Sequence, residues 1–391
     1  MTHHKLSLVP TQKSQSKTIL TQAKHYNPNK IKQRYSREAS TMKNVISQPI
    51  FFEDNRVYRV YLGGKGISRF RNRPEEEDDF FPEEWIASKV KAINPRYFGP
   101  RDGVAVVKGT DKFFDDLIAE YPDEILGGRK YDCLVKYLDS AIRLPMQVHP
   151  TKAFAKKHFG SDYGKTEAWL VLATRPNASI YFGFNRDITK EELSALEERS
   201  ETERDIMSSI LYKVDAKVGD IFIINAGLIH AIGAGCTILE VQEPTDFTIQ
   251  PEKWCGDYHI SENEEYIGLD KSTALDCFDY SLVGEKALKG AKVTPKVAYD
   301  RDGVKKEELI SYDITPCFGE NRYTVTTGAL TLPYAPSVWI CTEGKGKIVG
   351  DNYEKEIVKG DYFFLPYVAE GKYQIVADGS VEMVECLPSK Q

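Results

Sequence analysis

At 391 residues the chain is longer than one hydrophobic core ordinarily fills, so two domains, or one duplicated domain, are expected. Hydrophobic residues make up 41% and charged residues 28%, an ordinary globular balance that excludes a fibrous or wholly disordered chain. The net charge of -6 hides an asymmetry: residues 1–45 carry nine Lys and Arg against one Glu, which leaves an acidic body and argues against nucleic-acid binding.

The basic stretch 1–45 is rich in Lys, Ser, Thr, Gln and Asn and lacks apolar periodicity, so it reads as a flexible extension. A solvated arm is favoured over a transit peptide, and Met1-Thr2-His3-His4-Lys5 has no apolar signal-peptide core. The ordered body is expected to start near Ile50-Phe51-Phe52. No run of about eighteen apolar residues occurs, so no membrane span is expected. Seven scattered cysteines without a Cys-x-x-Cys pair point to free thiols in a reducing compartment, with the cytoplasm as the expected location. The sequence sets no oligomeric state.

Val57-Tyr58-Arg59-Val60-Tyr61-Leu62 reads as a strand and Gly63-Gly64-Lys65-Gly66 as its turn. The glycines are not read as a phosphate loop, because a Gly-Lys-Ser/Thr ending and a following helix pattern are missing. The acidic run from Glu75 to Asp79 reads as a solvated loop. Between Asp111 and Asp139 the spacing of Phe113, Phe114, Leu117 and Ile118, then of Leu134, Tyr137 and Leu138, suits two short helices. A longer helix is expected from Ile188 to Leu211, with Thr189 as its cap and Glu192 three residues on. Short strands and turns make up the rest, which implies β-barrel cores with helices inserted at one side.

Chemistry concentrates at four positions. Gln147 and His149 are two apart, so on a strand both side chains leave one face, and Pro150 ends the pairing and sets them at a rim. Glu167 begins the apolar strand Ala168-Trp169-Leu170-Val171-Leu172, with Lys165 two residues earlier on the same face. His230 ends the stretch Gly219 to His230. Two imidazoles, a carboxylate and an amide oxygen suit one borderline divalent ion such as zinc. The body has four histidines, and only His149 and His230 stand beside such partners; His158 and His259 read as structural.

The stretch Gly219 to His230 resembles the second cupin motif, Gly, five residues, Pro, one residue, Gly, two residues, His, with Asn225 in place of Pro. Gln147-x-His149 followed by Glu167 resembles the first motif with Gln for its first His. That exchange is similar to the type I mannose-6-phosphate isomerases, small form. The same likeness is carried by Gln-Val-His-Pro at 147–150, Gly-Lys-Thr-Glu at 164–167, His230-Ala231-Ile232-Gly233, and Leu239-Glu240-Val241-Gln242 leading to Thr245-Asp246. Near the start, Tyr61-Leu62-Gly63-Gly64 and Pro82-Glu83-Glu84-Trp85 loosely resemble that family's Trp-Gly-Gly and Gly-Glu-x-Trp segments. Later, Gly360 to Pro366 repeats the Gly, five residues, Pro spacing, but Gly371 falls where His230 stood and no histidine follows His259.

The resemblance implies a mainly β fold of two cupin (jelly-roll) β-barrels with a few inserted helices. Residues 46–265 would be the metal-binding domain with helical insertions, and 266–391 a degenerate cupin domain without ligands. It implies interconversion of mannose 6-phosphate and fructose 6-phosphate by proton transfer between C1 and C2, with zinc as cofactor and a small sugar phosphate as partner. It gives Lys165 a part in phosphate or proton handling and places Asp246 beside the sugar. Gln250 falls where the family has its catalytic arginine, and a neutral amide cannot supply a charged fork. A metal-containing sugar-phosphate binder with weak or no turnover, or an isomerase of a different sugar phosphate, is therefore the alternative.

Overall fold

Ile221-Phe222-Ile223-Ile224 and Leu170-Val171-Leu172 are apolar at consecutive positions, the pattern of strands covered on both faces. The computed structural model describes residues 42–74 and 76–391 and places both runs inside one sheet. The expected basic extension lies outside the described residues except for its last four, as does Glu75. Val45–Gln391 forms one compact unit.

The first barrel is built from β1 (Arg56–Val57), β2 (Glu83–Ile86), β3 (Leu134–Asp139), β4 (Glu167–Thr174), β5 (Ser179–Phe184), β6 (Leu211–Asp215), β7 (Ile221–Ile224), β8 (His230–Ile232) and β9 (Cys236–Gln242). A hairpin of β10 (Trp254–Cys255) and β11 (Tyr258–His259) follows, then β12 (Lys292–Val293). One sheet runs β1-β2-β3-β9-β4-β7-β12 and a smaller one β6-β5-β8. Trp169, Phe222 and Ile238 of the first sheet and Ile180, Phe182 and Ile232 of the second bury against one another. Aromatic side chains dominate that layer and contribute most of its apolar area.

The second barrel is a single eight-stranded sheet of β13 (Lys296–Arg301), β14 (Val304–Ile310), β15 (Gly319–Val325), β16 (Ala329–Thr331), β17 (Ser337–Gly350), β18 (Tyr353–Val358), β19 (Tyr362–Leu365) and β20 (Gln374–Leu387). The fold is thus mainly β, two cupin-like barrels with short helices inserted, as the sequence led us to expect. The two barrels meet through paired backbone bonds between Ile50 and Phe364 (2.8 and 2.9 Å) and an edge contact of Phe114 on Phe364. Residues 266–293 stay with the first barrel: β12 pairs with β7, and Tyr266, Leu275, Ala287 and Ala291 enter its cores. The chain therefore leaves that barrel after Val293, later than residue 265.

Several local expectations differ. Leu134–Asp139 is a strand, not a second helix, because burial on both faces removes the alternation that marks a strand. The helix expected to Leu211 stops at Arg199; its cap is as read, with Thr189 Oγ1 accepting from the Glu192 amide at 3.2 Å. A second short helix, Ile206–Ser209, precedes β6. The strand expected over 57–62 shrinks to Arg56–Val57, and a helix, Lys65–Phe70, begins within the glycine run, with Gly64 before it and Gly66 in its first turn. Their amides are filled by the chain itself: Gly64 and Gly66 both donate to Asp139 Oδ2 at 2.8 Å. A Cβ on Gly66 would fall 2.1 Å from the other Asp139 oxygen, so only glycine fits. Finally, β17 is one bent strand of 14 residues where strand, turn and strand were expected, and Gly344 (φ 76°) lies between its two register shifts.

Candidate metal centre

Register places polar side chains inside the first barrel. Trp85 pairs with Lys136, Lys136 with Glu240, Glu240 with Trp169 and Trp169 with Phe222, so five neighbouring strands contribute one row to one face. The next row sets Gln242 beside Glu167 at the start of β4. Gln147 to His149 is extended between two single bridges, Gln147 with His230 and Val148 with Ile249. Direct opposition puts Gln147 and His230 on a shared face. The Asn225–Leu228 turn, with Gly227 at φ 90°, delivers His230 to the first position of β8.

His149, Glu167 and His230 are all buried, and one potential ligand atom from each lies within 4.8 Å of the others. His149 Nε2 is 3.1 Å from Glu167 Oε2, and His230 Nε2 is 3.3 Å from Glu167 Oε1. A tetrahedral ion with bonds near 2.1 Å holds its ligands about 3.4 Å apart, so the set is already close to that size. The outer nitrogens are engaged with backbone: His149 Nδ1 is 3.0 Å from Phe247 O and His230 Nδ1 is 2.9 Å from Leu228 O. Donation by Nδ1–H to a carbonyl leaves the Nε2 lone pair facing inward, the arrangement that orients ligating imidazoles. His230 Nε2 and Glu167 Oε2 make no well-formed hydrogen bond despite their burial. Unsatisfied acceptors converging this way fit a divalent cation.

Electrostatics points the same way. Burial pushes His149 down to about 3, against the pull of Glu167 and with the help of Lys165, so its imidazole is neutral. Burial alone would raise Glu167, yet with His149 neutral the Lys165 ammonium beside it still holds it below the usual carboxylate range. Lys165 Nζ lies 3.0 Å from His149 Nε2 and 3.2 Å from Glu167 Oε2.

A cavity of about 350 Å³ opens beside these groups, and Gln147, Lys165, Glu167, Asp246 and Gln250 all line it. All seven residues singled out in the sequence thus fall in or directly behind one site. The two imidazoles are not in its wall and meet it through Glu167. Gln250 sits among the lining residues as a neutral amide, and its backbone amide donates to Glu265 O. Lys253, the nearest cation in sequence, faces away: it pairs with Glu197 and Glu265.

Sequence reading missed five charged residues of the same wall: Arg59, Glu83, Lys136, Glu240 and Glu264. Lys136 Nζ bridges Glu83 (3.3 Å) and Glu240 (3.2 Å). Glu83 also accepts from Tyr61 and Trp85 at 2.7 Å each, and although burial works against it, Arg59 and Lys136 hold it well below the usual range. Glu240 goes the other way, pushed up to about 8 by burial and then by Glu167. A charge inside an apolar run, as in Leu134-Val135-Lys136-Tyr137-Leu138, was the available signal, since a buried lysine requires a partner.

All seven cysteines are free and buried, and no helix among the described residues is long and apolar enough to cross a membrane. No protein-family model matches the chain. Among curated relatives it is similar to mannose-6-phosphate isomerase ManA of Bacillus subtilis (strain 168), with 28% identity over 246 residues, 62% of this chain and 71% of that protein. It is similar along more of its length to mannose-6-phosphate isomerase of Streptococcus mutans serotype c, with 29% identity over 353 residues, 86% of this chain and 100% of that protein. Among solved structures, the mannose 6-phosphate isomerase of Bacillus subtilis superposes with a TM-score of 0.66 at 20% identity, covering 86% of this chain and 99% of that one. A mannose 6-phosphate isomerase bound with zinc and yttrium gives 0.64 at 14% identity, covering 88% and 100%. At these identities the solved structures establish the fold, and the curated relatives bear out the resemblance read from the motifs.

Proposed function

We propose that this chain is a mannose-6-phosphate isomerase, a metal-dependent aldose-ketose isomerase that interconverts mannose 6-phosphate and fructose 6-phosphate. The observation that carries the reading is the convergence of buried His149, Glu167 and His230 within 4.8 Å, against a cavity that also presents Lys165 and Asp246. Likeness to mannose-6-phosphate isomerases supports the substrate, and the donor set supports a divalent metal.

His149, Glu167 and His230, with the Gln147 amide oxygen, would hold one zinc ion per chain. When bound, the dication stabilises negative charge on sugar oxygens as a carbon-bound proton leaves. The remaining work belongs to the chain. Phe247 O and Leu228 O keep the imidazoles in the tautomer that ligates. Asp246 is the carboxylate for moving a proton between C1 and C2. Its Oδ2 accepts from Arg59 and from the Ile93 amide, whereas Oδ1 accepts from Arg59 alone, so Oδ1 keeps a lone pair for the substrate. Lys165 supplies a fixed cation beside the ligand set, and Gln250 can offer hydrogen bonds but no charge.

The test is exchange between mannose 6-phosphate and fructose 6-phosphate by the full chain, followed with chelator and then with zinc restored. Turnover that disappears and returns supports the assignment. Sugar-phosphate binding with metal present and no exchange overturns it and leaves the binder reading, which the neutral Gln250 favours.

A further inference from the structure

Arg59 belongs to none of the motifs, yet it joins four segments at the cavity wall. Its guanidinium is forked on Asp246, Nη1 to Oδ2 and Nη2 to Oδ1, both at 3.1 Å. Nε lies 3.1 Å from Glu83 Oε1 on β2. Nη1 also reaches Ile93 O at 3.3 Å and Asn94 Oδ1 at 3.1 Å, while the Ile93 amide donates to Asp246 Oδ2 at 2.8 Å. The plane lies over the Trp85 ring, 5.1 Å from its centroid. Burial of an arginine disfavours its charge, but Asp246 and then Glu83 outweigh that, so it is held more firmly protonated than in water. Arg59, Glu83, Ile93, Asn94 and Asp246 all line the same cavity. A bidentate fork fixes a carboxylate in distance and plane, which a point charge does not.

We propose that Arg59 is a positioning residue for the isomerisation: it sets the Asp246 carboxylate and ties the Ile93–Asn94 segment to the cavity wall. This rests on the isomerase reading for its catalytic part and on geometry alone for the loop. Glu83 retains Tyr61, Trp85 and Lys136 as partners when Arg59 is changed, and Asp246 retains the Ile93 amide, so substitution does not strip either carboxylate bare.

The test compares wild type, Arg59→Lys, Arg59→Gln, Asp246→Asn and the double variant Arg59→Gln/Asp246→Asn, each normalised to bound zinc. We expect kcat to fall about 10- to 100-fold in Arg59→Gln, with Arg59→Lys between it and wild type. The double variant should lose little more than Asp246→Asn alone, the mark of two groups acting as one unit. Unchanged kcat per zinc, or losses that multiply independently, overturns the proposal. Amide exchange at Ile93 is read separately. Faster exchange in Arg59→Gln supports the tie, and unchanged exchange overturns it, even if wild-type protein turns over no sugar phosphate and the isomerase reading fails.

Discussion

The two barrels begin from the same strand-turn pattern and diverge in what they leave inside. In the first, Gly219 (φ 87°) leads into Ile221–Ile224 and the chain reaches His230; in the second, Gly360 (φ 89°) leads into Tyr362–Leu365 and the chain reaches Gly371. Inside the second barrel Trp339 stacks on Phe363 at 6.4 Å and 6° and meets Tyr323 at 5.5 Å, so aromatic rings occupy the interior. Trp169, Phe182 and Phe222 fill the first barrel likewise, but Lys136, Glu240, Glu167 and the two imidazoles stand beside that layer. A site arises where packing gives way to paired charge. Ligand residue types alone are not enough without that space.

The sharpest way to break this contrast is His230→Ala. Removing one imidazole takes a ligand from a set of three buried donors that the rest of the barrel cannot replace. We expect bound zinc to fall to background, with turnover below detection, measured by metal analysis of purified protein and by isomerase assay. Retained stoichiometric zinc would show that the ion sits elsewhere. Trp339→Ala probes the other barrel. Deleting a fully buried indole costs about 3–5 kcal/mol of stability. The folded fraction should keep its zinc and its KM, as read by denaturant titration and kinetics; a loss of zinc at full folding would mean the second barrel shapes the site.

How much of this was legible in the sequence follows from the range of each interaction. Gln147, His149, Glu167 and His230 could be read because their spacing is local and strand geometry converts spacing into direction. The barrels were legible for a similar reason, through the repeated glycine-led strand. Arg59 was not, because its partner Asp246 lies 187 residues away and no periodicity links them. Leu134–Asp139 was misread as helix because both its faces are buried, which leaves length and one stranded lysine as the only clues. The end of the helix at Arg199 and the continuity of β17 were hidden by tertiary packing, which outweighs local propensity.

Buried carboxylates divide within the first barrel as well as between the two. In the first barrel Glu83 and Glu167 have cations beside them and are held low, whereas Glu240 is raised by burial and then by Glu167. Glu320 on β15 is equally buried, has no hydrogen-bond partner on either oxygen, and is pushed up to about 8 by burial against the weaker pull of Arg322. Its folded state therefore keeps a proton that the unfolded state releases near 4.5. Between those two values the folded form binds more protons, so stability falls as pH rises, by up to about 1.4 kcal/mol per pH unit for one such group. Glu320→Gln should flatten that slope and raise the unfolding midpoint at pH 8 relative to wild type. Equal slopes from pH 5 to 8 would show that the Glu320 carboxyl is solvated or paired.

The smallest expected effect comes from Gly371→His, which returns a histidine to the repeat position. Gly371 has φ 71°, a left-handed conformation, and a Cβ there meets nothing within 4 Å, so the cost is conformational rather than steric: about 1 kcal/mol. No zinc should be gained. In the first barrel His230 finds Glu167 across the interior and a second imidazole 4.8 Å away, centroid to centroid, whereas no other histidine exists after His259. Calorimetric titration with zinc in the His230→Ala background isolates the new position from the original site. Heat of binding in the double variant that is absent from His230→Ala alone would mean the second barrel retains a usable donor set and that one residue, rather than the filling of its interior, separates the two halves.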